Sequence, residues 1–351
     1  MDLVRKDIVS VQYQNANNSV RVSDEFMRAV ENGEEFGLRA RSPARSSRRS
    51  TPESCSARWG KARGSAPTPG VQYDDTINDW HTSPETGRIT ASNPCSEYLH
   101  LDNSSCNLAS INLLKFLKDD DTFDIANFVK ITELVITAMD VSITFADFPT
   151  EKIDQTTRAY RQLGIGYATS GALLMATGHA YDSDGGRAVA GAITSLMTGV
   201  SYRRSAELAA VVGPYDGYAR NADAHKRVMR KHNDANDSLR TVDEIDGPSP
   251  RGLQAVGRVP AARATGNGYR NAQASLLAPT GTIGLMRTAT PPASSPTSPW
   301  SSSRSSSAAA PCRSSTRRSP ARCGDWATSE ADDDICPLVC PVAAARGGSS
   351  G

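Results

Sequence analysis

Asn93, Cys95 and Glu97 stand at alternate positions of Asn93-Pro94-Cys95-Ser96-Glu97, and a second sulfur, Cys106, follows eleven residues after the first. In an extended loop or strand, alternate residues point the same way. One face then carries an amide that both donates and accepts, a thiol and a carboxylate. That set suits chemistry on a polyol. The sulfur can act as nucleophile or radical carrier, and the carboxylate can take a proton from a hydroxyl. The plainer alternative is two small buried cysteines and a Glu97 that is only a surface charge. Spacing by itself leaves both open.

A second stretch, Pro279-Thr280-Gly281-Thr282-Ile283, is small and hydroxyl-rich. Backbone N–H groups and two threonine hydroxyls could wrap a phosphate, and a helix N-terminus could reinforce them. Glycine lets the backbone approach the ligand. A Thr-Gly-Thr turn without a ligand is also common.

The wording around both stretches narrows the choice. Ile89 to Leu113, ITASNPCSEYLHLDNSSCNLASINL, resembles the finger-loop motif of adenosylcobalamin-dependent (class II) ribonucleotide reductases. Asn267 to Ser275, NGYRNAQAS, followed by Leu277 to Gly284, LAPTGTIG, is similar to the substrate-phosphate loop of that family. Gln14 to Val30, Val71 to His81 and Phe145 to Tyr218 are family-like too, so the resemblance covers most of residues 1–240 and returns at 266–286.

The resemblance implies an α/β fold: part of a ten-stranded α/β barrel with a central finger loop, incomplete here. It implies reduction of ribonucleotides, as a ribonucleoside-diphosphate reductase or its triphosphate counterpart, to deoxyribonucleotides for DNA synthesis. Cys95 would become the thiyl radical, Glu97 would take the 3′-hydroxyl proton, and Asn93 would hold the substrate hydroxyls. Cys106 matches one member of the redox cysteine pair. Asn93, Pro94, Cys95, Ser96 and Glu97, with Pro279, Thr280, Gly281, Thr282 and Ile283, would contact substrate. Adenosylcobalamin is the implied cofactor, and a thiol system such as thioredoxin the implied reductant. The second reducing cysteine, the nucleotide effector site and the first barrel half are expected upstream of Met1.

Composition sets broader bounds. The 351 residues carry a net charge of +1, which argues for neither nucleic acid nor membrane as a partner. No signal-peptide core and no membrane-length apolar run are legible. Seven cysteines without a secretory signal point to a reducing cytoplasm. The five histidines show no ligand spacing, and Cys336 with Cys340 is half a metal site without its partners. No protein-ligated metal is expected.

Residues 41–66 and 287–328 are rich in Ser, Arg, Pro and Ala and nearly empty of aliphatic side chains. Such text reads as disordered linker or basic tail, which makes a Ser/Arg-rich interaction protein on a partial α/β core a rival reading. A displaced reading frame accounts for it better. Shifting the codons of Thr288 to Thr297 by one base permits DCDTTGIEPD, text typical of the family after its phosphate loop. The same operation on Ser42 to Trp59 permits VTGQVIETVDARELFAKM. Domain 1–286 is therefore expected to be a partial barrel, out of frame at 41–66 and suspect at 246–265. Residues 287–351 are expected to be an out-of-frame tail that adds no compact part. Cys55, Cys312 and Cys323 then carry no chemistry. An inactive remnant of the enzyme is the corresponding alternative function.

The elements that must position these residues follow from periodicity. Ile8 to Tyr13 and Val71 to Thr76 read as strands, and Asp79-Trp80-His81 as a loop into the finger. Ser23 is an N-cap for a helix through Asn32 that Gly33 ends. Asp124 to Asp147 is the strongest helix, with Ile125, Phe128, Val129, Leu134, Val135, Ala138 and Met139 at three- and four-residue steps and Phe148-Pro149 as its stop. Leu173 to Thr177 and Arg187 to Leu208 read as helical. Gly164-Ile165-Gly166 lacks the rest of a dinucleotide fingerprint and reads as tight helix–sheet packing. Tyr202-Arg203-Arg204-Ser205 and His225 to His232 read as solvated basic helix surface.

Overall fold

Local signals build the first elements as expected. Ser23 has extended backbone, its hydroxyl accepts from the Phe26 N–H at 3.2 Å, and Gly33 closes the helix at φ 66°. The helix between them, α1 (Asp24–Asn32), buries Phe26 and Ala29. The computed structural model describes residues 18–38, 48–50, 60, 70–120, 122–239, 266–279, 301–306 and 309–315. The chain divides into two compact units, Met1–Asp102 and Asn103–Gly351. The strand expected at Ile8 to Tyr13 lies outside the described residues, as do residues 246–265.

In the first unit, β1 (Ser19–Val22) pairs in parallel with β4 (Gly70–Tyr73), which sets Arg21 opposite Gln72. Between them, β2 (Phe36–Leu38) and β3 (Arg48–Ser50) form a short antiparallel pair. The strand expected through Thr76 stops at Tyr73, and α2 (Asp74–Asp79) begins at once. Asp74 and Asp75 occupy the first turn of α2, where carboxylates favour the positive end of a helix.

In the second unit, β5 (Asn107–Asn112) and β6 (Leu163–Ala168) pair in parallel, Asn107 with Leu163 through Asn112 with Ala168. Parallel neighbours need a crossover, here a 3₁₀ turn at Leu113–Phe116, then α3 (Ile125–Ile143) and α4 (Glu151–Tyr160). Asp124 caps α3 by accepting from the Asn127 N–H at 3.1 Å. The face it buries is Phe128, Thr132, Ile136, Met139 and Ile143. Leu134, counted on the inner stripe from sequence, is 63% exposed. The helix also ends at Ile143, short of Phe148-Pro149. Arg158 explains that stop. It donates to the carbonyls of Ile143, Thr144 and Ala146 at 3.0, 2.8 and 2.8 Å, meeting acceptors that a helix end leaves open.

Every residue of β6 is buried. Its far edge pairs with the segment Gln273–Leu276. Leu163 N–H donates to Gln273 at 2.8 Å, Ile165 N–H to Ala274 at 3.0 Å, and Leu276 N–H to Ile165 at 3.0 Å. Ile165 thus bridges Ser275 in parallel. The two glycines of β6 permit this approach. A Cβ on Gly166 would meet the Leu276 carbonyl oxygen at 2.5 Å, and one on Gly164 would meet the Leu276 side chain at 2.6 Å. Gly164-Ile165-Gly166 therefore serves close strand–strand packing, not the helix–sheet contact expected. The helices α5 (Ser170–Ala176), α6 (Asp184–Val212) and α7 (Tyr218–Asp237) complete the unit. Ile165, Phe128, Ile193, Leu196, Val200 and Val228 belong to one continuous core.

The architecture is mixed α/β with short parallel strands. Among the described residues the strands do not close a barrel, so the ten-stranded architecture implied by the resemblance is present only as neighbouring parallel strands with crossover helices. In the tail, β7 (Ser301–Ser306) and β8 (Ala309–Ser315) pair antiparallel.

A buried charge cluster locks distant segments of the second unit together. Asp140, on α3, is 6% exposed, and Arg161, in the left-handed cap of α4, is 7% exposed. Arg161 Nε donates to Asp140 Oδ1 at 2.7 Å, and Asn271 Nδ2 to the same oxygen at 2.9 Å. Asn271 Nδ2 also reaches the Arg161 carbonyl at 3.0 Å, and the fully buried Ser205 hydroxyl donates to Asn271 Oδ1 at 2.8 Å. Removing Asp140 leaves Arg161 charged, buried and uncompensated. Asp140→Ala is expected to cost about 3–5 kcal/mol, read as a fall in the urea midpoint of the second unit.

Two buried histidines make the chain acid-labile. His225 stacks on Tyr269 with ring centroids 4.3 Å apart, Nδ1 meets the Tyr215 hydroxyl at 3.2 Å, and Nε2 has no partner among the described residues. Burial, then the neighbouring His232, pushes its pKa down to about 3. Burial pushes His81 down to about 4. Both stay neutral in the fold but take a proton when unfolded, from the ordinary value of 6.5 downward. Their contribution is complete above that value and is lost as pH falls toward 4 and 3, at up to about 1.4 kcal/mol per pH unit for each histidine. Urea midpoints should therefore drop between pH 7 and pH 4.5, and His225→Phe should flatten the dependence.

Candidate active site

The loop that carries Asn93, Cys95 and Glu97 is a turn, which corrects the extended geometry expected from alternation. Ser96 N–H donates to the Asn93 carbonyl at 3.0 Å, and Ser96 sits at φ 64°. A non-glycine residue there costs roughly 1–2 kcal/mol, so the surroundings must hold it. Asn93 Oδ1 accepts from the Tyr98 N–H at 3.0 Å, tying the side chain across the turn. Cys95 at the apex is exposed. Glu97 is half-buried, and its Oε2 is enclosed with no hydrogen-bond partner among the described residues. An enclosed carboxylate oxygen is an acceptor without a donor. Cys95 is not buried and Glu97 is not simply a surface charge, whereas Cys106 is half-buried.

The turn hangs from the first unit's sheet. Gln72 Nε2 donates to Ser92 Oγ at 2.6 Å and to Ser96 Oγ at 2.8 Å, while Arg21 Nη2 donates to Gln72 Oε1 at 3.0 Å. Arg21 also reaches Asp74 at 2.9 Å and the Ile89 carbonyl at 2.7 Å. Sequence reasoning missed Gln72 and Arg21. No local signal marked them, because their link to the motif runs through the parallel register that sets Arg21 opposite Gln72.

Cys106 belongs to the second unit, immediately before β5, and is half-buried. Its neighbours are fixed. Ser105 N–H donates to Thr157 at 2.9 Å, and Asn107 Nδ2 donates to the Met139 carbonyl at 2.8 Å. Pro279 also lies in the second unit, three residues after the paired segment Gln273–Leu276. Thr280, Gly281, Thr282 and Ile283 lie outside the described residues, and so does the closeness of Thr280 to Cys95 that a shared nucleotide site requires.

The two basic stretches are only partly solvated surface: their Arg and Lys residues are half-buried or exposed, but residues between them point inward. Tyr202, Ser205 and His225 are buried. Arg203 pairs with Glu133, and Arg204 donates to Thr137 and to Glu207, each at 3.0 Å. A cavity of about 570 Å³ lies between α6, α7 and the Ser275 segment, lined by Thr194, Thr198, Asn233, Asn236 and Leu277 among others. No motif marked it. Its hydroxyls bond one another, Tyr167 to Thr194 at 2.8 Å and Thr198 to Ser275 at 3.1 Å. Among the described residues no three of His, Cys, Asp and Glu group closely enough to hold a metal ion, and no helix is long and apolar enough to cross a membrane.

Residues 4–316 match the family model for the ribonucleotide reductase barrel domain. The chain belongs to the ribonucleotide reductase barrel-domain family. Among similar proteins, the vitamin B12-dependent ribonucleotide reductase of Streptomyces clavuligerus is 64% identical over 289 residues, which is 81% of this chain and 30% of that protein. The Streptomyces avermitilis protein of the same name is 63% identical over 289 residues, with the same shares. The one from Agrobacterium fabrum is 42% identical over 299 residues, 79% of this chain and 23% of that protein. This chain therefore spans about 30% of the length of its Streptomyces relatives. Within the family match lie both the Cys95 turn and the Gln273–Leu276 strand segment.

Proposed function

We propose that this chain is a catalytic portion of a cobalamin-dependent ribonucleotide reductase, carrying the finger-loop thiol and one reducing cysteine. The observation that carries this reading is the pairing of an exposed Cys95 thiol with an enclosed, unpartnered Glu97 oxygen on one pinned turn. The thiol is open to a radical source and to substrate. The carboxylate oxygen needs a donor, and a ribose 3′-hydroxyl would provide one.

In this reading Cys95, as a thiyl radical, takes the 3′ hydrogen of the ribose. Glu97 accepts the 3′-hydroxyl proton, and Asn93 holds the hydroxyls in place. The 2′-hydroxyl leaves as water, and two thiols close to a disulfide as they supply two electrons. Cys106 is one of those thiols. Cys95 then returns its hydrogen to C3′. Adenosylcobalamin supplies the radical equivalent when bound, and an exposed Cys95 fits that need. Pro279, with Thr280, Gly281, Thr282 and Ile283, would hold the phosphates. A thioredoxin-type dithiol would re-reduce the pair. Text at 41–66 and from 287 onward is read as out of frame, supported by the family-like sequence that a one-base shift restores; the DNA around codons 42, 66 and 287 decides it.

The 30% span favours a piece that is inactive by itself. Turnover needs two thiols besides the radical carrier, and Cys106 is the one cysteine here that the family motif matches to that pair. A radical pocket must also exclude water. Purified chain with adenosylcobalamin, dithiothreitol and a ribonucleotide is expected to give no deoxyribonucleotide. A version with its frame restored and the upstream half supplied is expected to give product that Cys95→Ser abolishes. Product from the bare chain would overturn the inactivity, and none from either would overturn the site assignment.

A further inference from the structure

The Cys95 turn adopts a backbone that its own residues do not favour. Ser96 sits at φ 64°, a region where a side chain crowds its own carbonyl, and such a residue persists only when neighbours over-determine it. Its own turn bond, Ser96 N–H to the Asn93 carbonyl, is one constraint. Gln72 supplies the others. Its amide nitrogen donates to the hydroxyls of Ser92 and Ser96, on both sides of Cys95, at 2.6 and 2.8 Å. Ser92 Oγ passes the constraint on by donating to the Asn93 carbonyl at 2.8 Å.

The orientation of the Gln72 amide is itself determined. Arginine has donors and no acceptor, so the group facing Arg21 must be the Gln72 oxygen, at 3.3 Å from Nε and 3.0 Å from Nη2. The nitrogen then has to face the serines. Arg21 is held in turn by Asp74 and the Ile89 carbonyl. Gln72 is 8% exposed, so water does not readily replace these bonds. Sheet, fixed amide and strained turn form one chain of contacts that ends on the residues flanking Cys95.

We propose that Gln72 is a positioning residue for Cys95, acting through Ser96 and Ser92 to fix the direction of the thiol relative to Glu97. Its catalytic importance rests on Cys95 being the reacting thiol. In that reaction, loss of the pin would lower kcat more than it raised KM, because hydrogen transfer depends on alignment.

The test reads the thiol directly and needs no turnover. Iodoacetamide alkylation of Cys95 in the purified chain is followed by peptide mass, with Cys106 as internal reference and a urea curve for each variant. Gln72→Leu is expected to raise the Cys95 rate about threefold or more with the Cys106 rate unchanged. Ser96→Ala is expected to do the same, and the double variant to add little, since both remove one interaction. An unchanged Cys95 rate in folded Gln72→Leu, additive effects in the double variant, or parallel rises at Cys106 would overturn the proposal. Should Gln72→Leu fail to fold, Ser96→Ala decides alone, and an unchanged rate there overturns it. Because alkylation is independent of ribonucleotide reduction, failure here leaves the proposed function standing, and failure of the reductase assay leaves this result standing.

Discussion

Asp140 is the point on which the second unit turns. A carboxylate with 6% exposure is unfavourable in an apolar interior, and its partners make it tolerable. Those partners come from the cap of α4 and from the Arg270-Asn271 segment, 130 residues further along the chain. Ser205 on α6 closes the network by bonding Asn271 at 2.8 Å. Once these groups must meet, the path of the intervening chain is strongly limited. The segment after Asn271 runs beside β6, where Gly164 and Gly166 leave room for Leu276. A polar knot, not the apolar core alone, therefore registers the Gln273–Leu276 segment beside β6.

The first unit solves a related problem with neutral groups at its centre. Gln72 has one donor end and one acceptor end, and Arg21 occupies the acceptor. The donor end is left to hold a turn in a conformation that costs free energy. The same region keeps Glu97 Oε2 enclosed without a partner. A strained backbone and an unsatisfied acceptor on one short loop are destabilising features, and they coincide with the motif proposed to carry the chemistry. Where local rules are broken together, function is the usual beneficiary.

Family membership and the observed strands agree in kind. Parallel β5, β6 and the Gln273–Leu276 segment, joined through crossover helices, are the repeating arrangement from which an α/β barrel is built. This chain spans about 30% of the length of its Streptomyces relatives; Cys95 belongs to one compact unit, and Cys106 and Pro279 to the other.

Much of this was legible in the sequence, and the legible part is local. Ser23, Asp124 and Gly33 mark helix ends because capping involves only neighbouring backbone groups. The words around Cys95 and Asn271 identified the family because motif text records chemistry directly. What the sequence could not decide depends on distant partners. Alternation placed Asn93, Cys95 and Glu97 on an extended face, but Gln72, more than twenty residues earlier, bends them into a turn. Phe148-Pro149 looked like the end of α3, but Arg158 on the next helix takes the carbonyls at Ile143 and Thr144. His225 and Tyr202 read as basic surface, because charge in a neighbour says nothing about which side of a helix meets the core. Periodicity and capping are properties of a few consecutive residues; strain, burial and the pairing of charges are set by whatever the fold brings beside them.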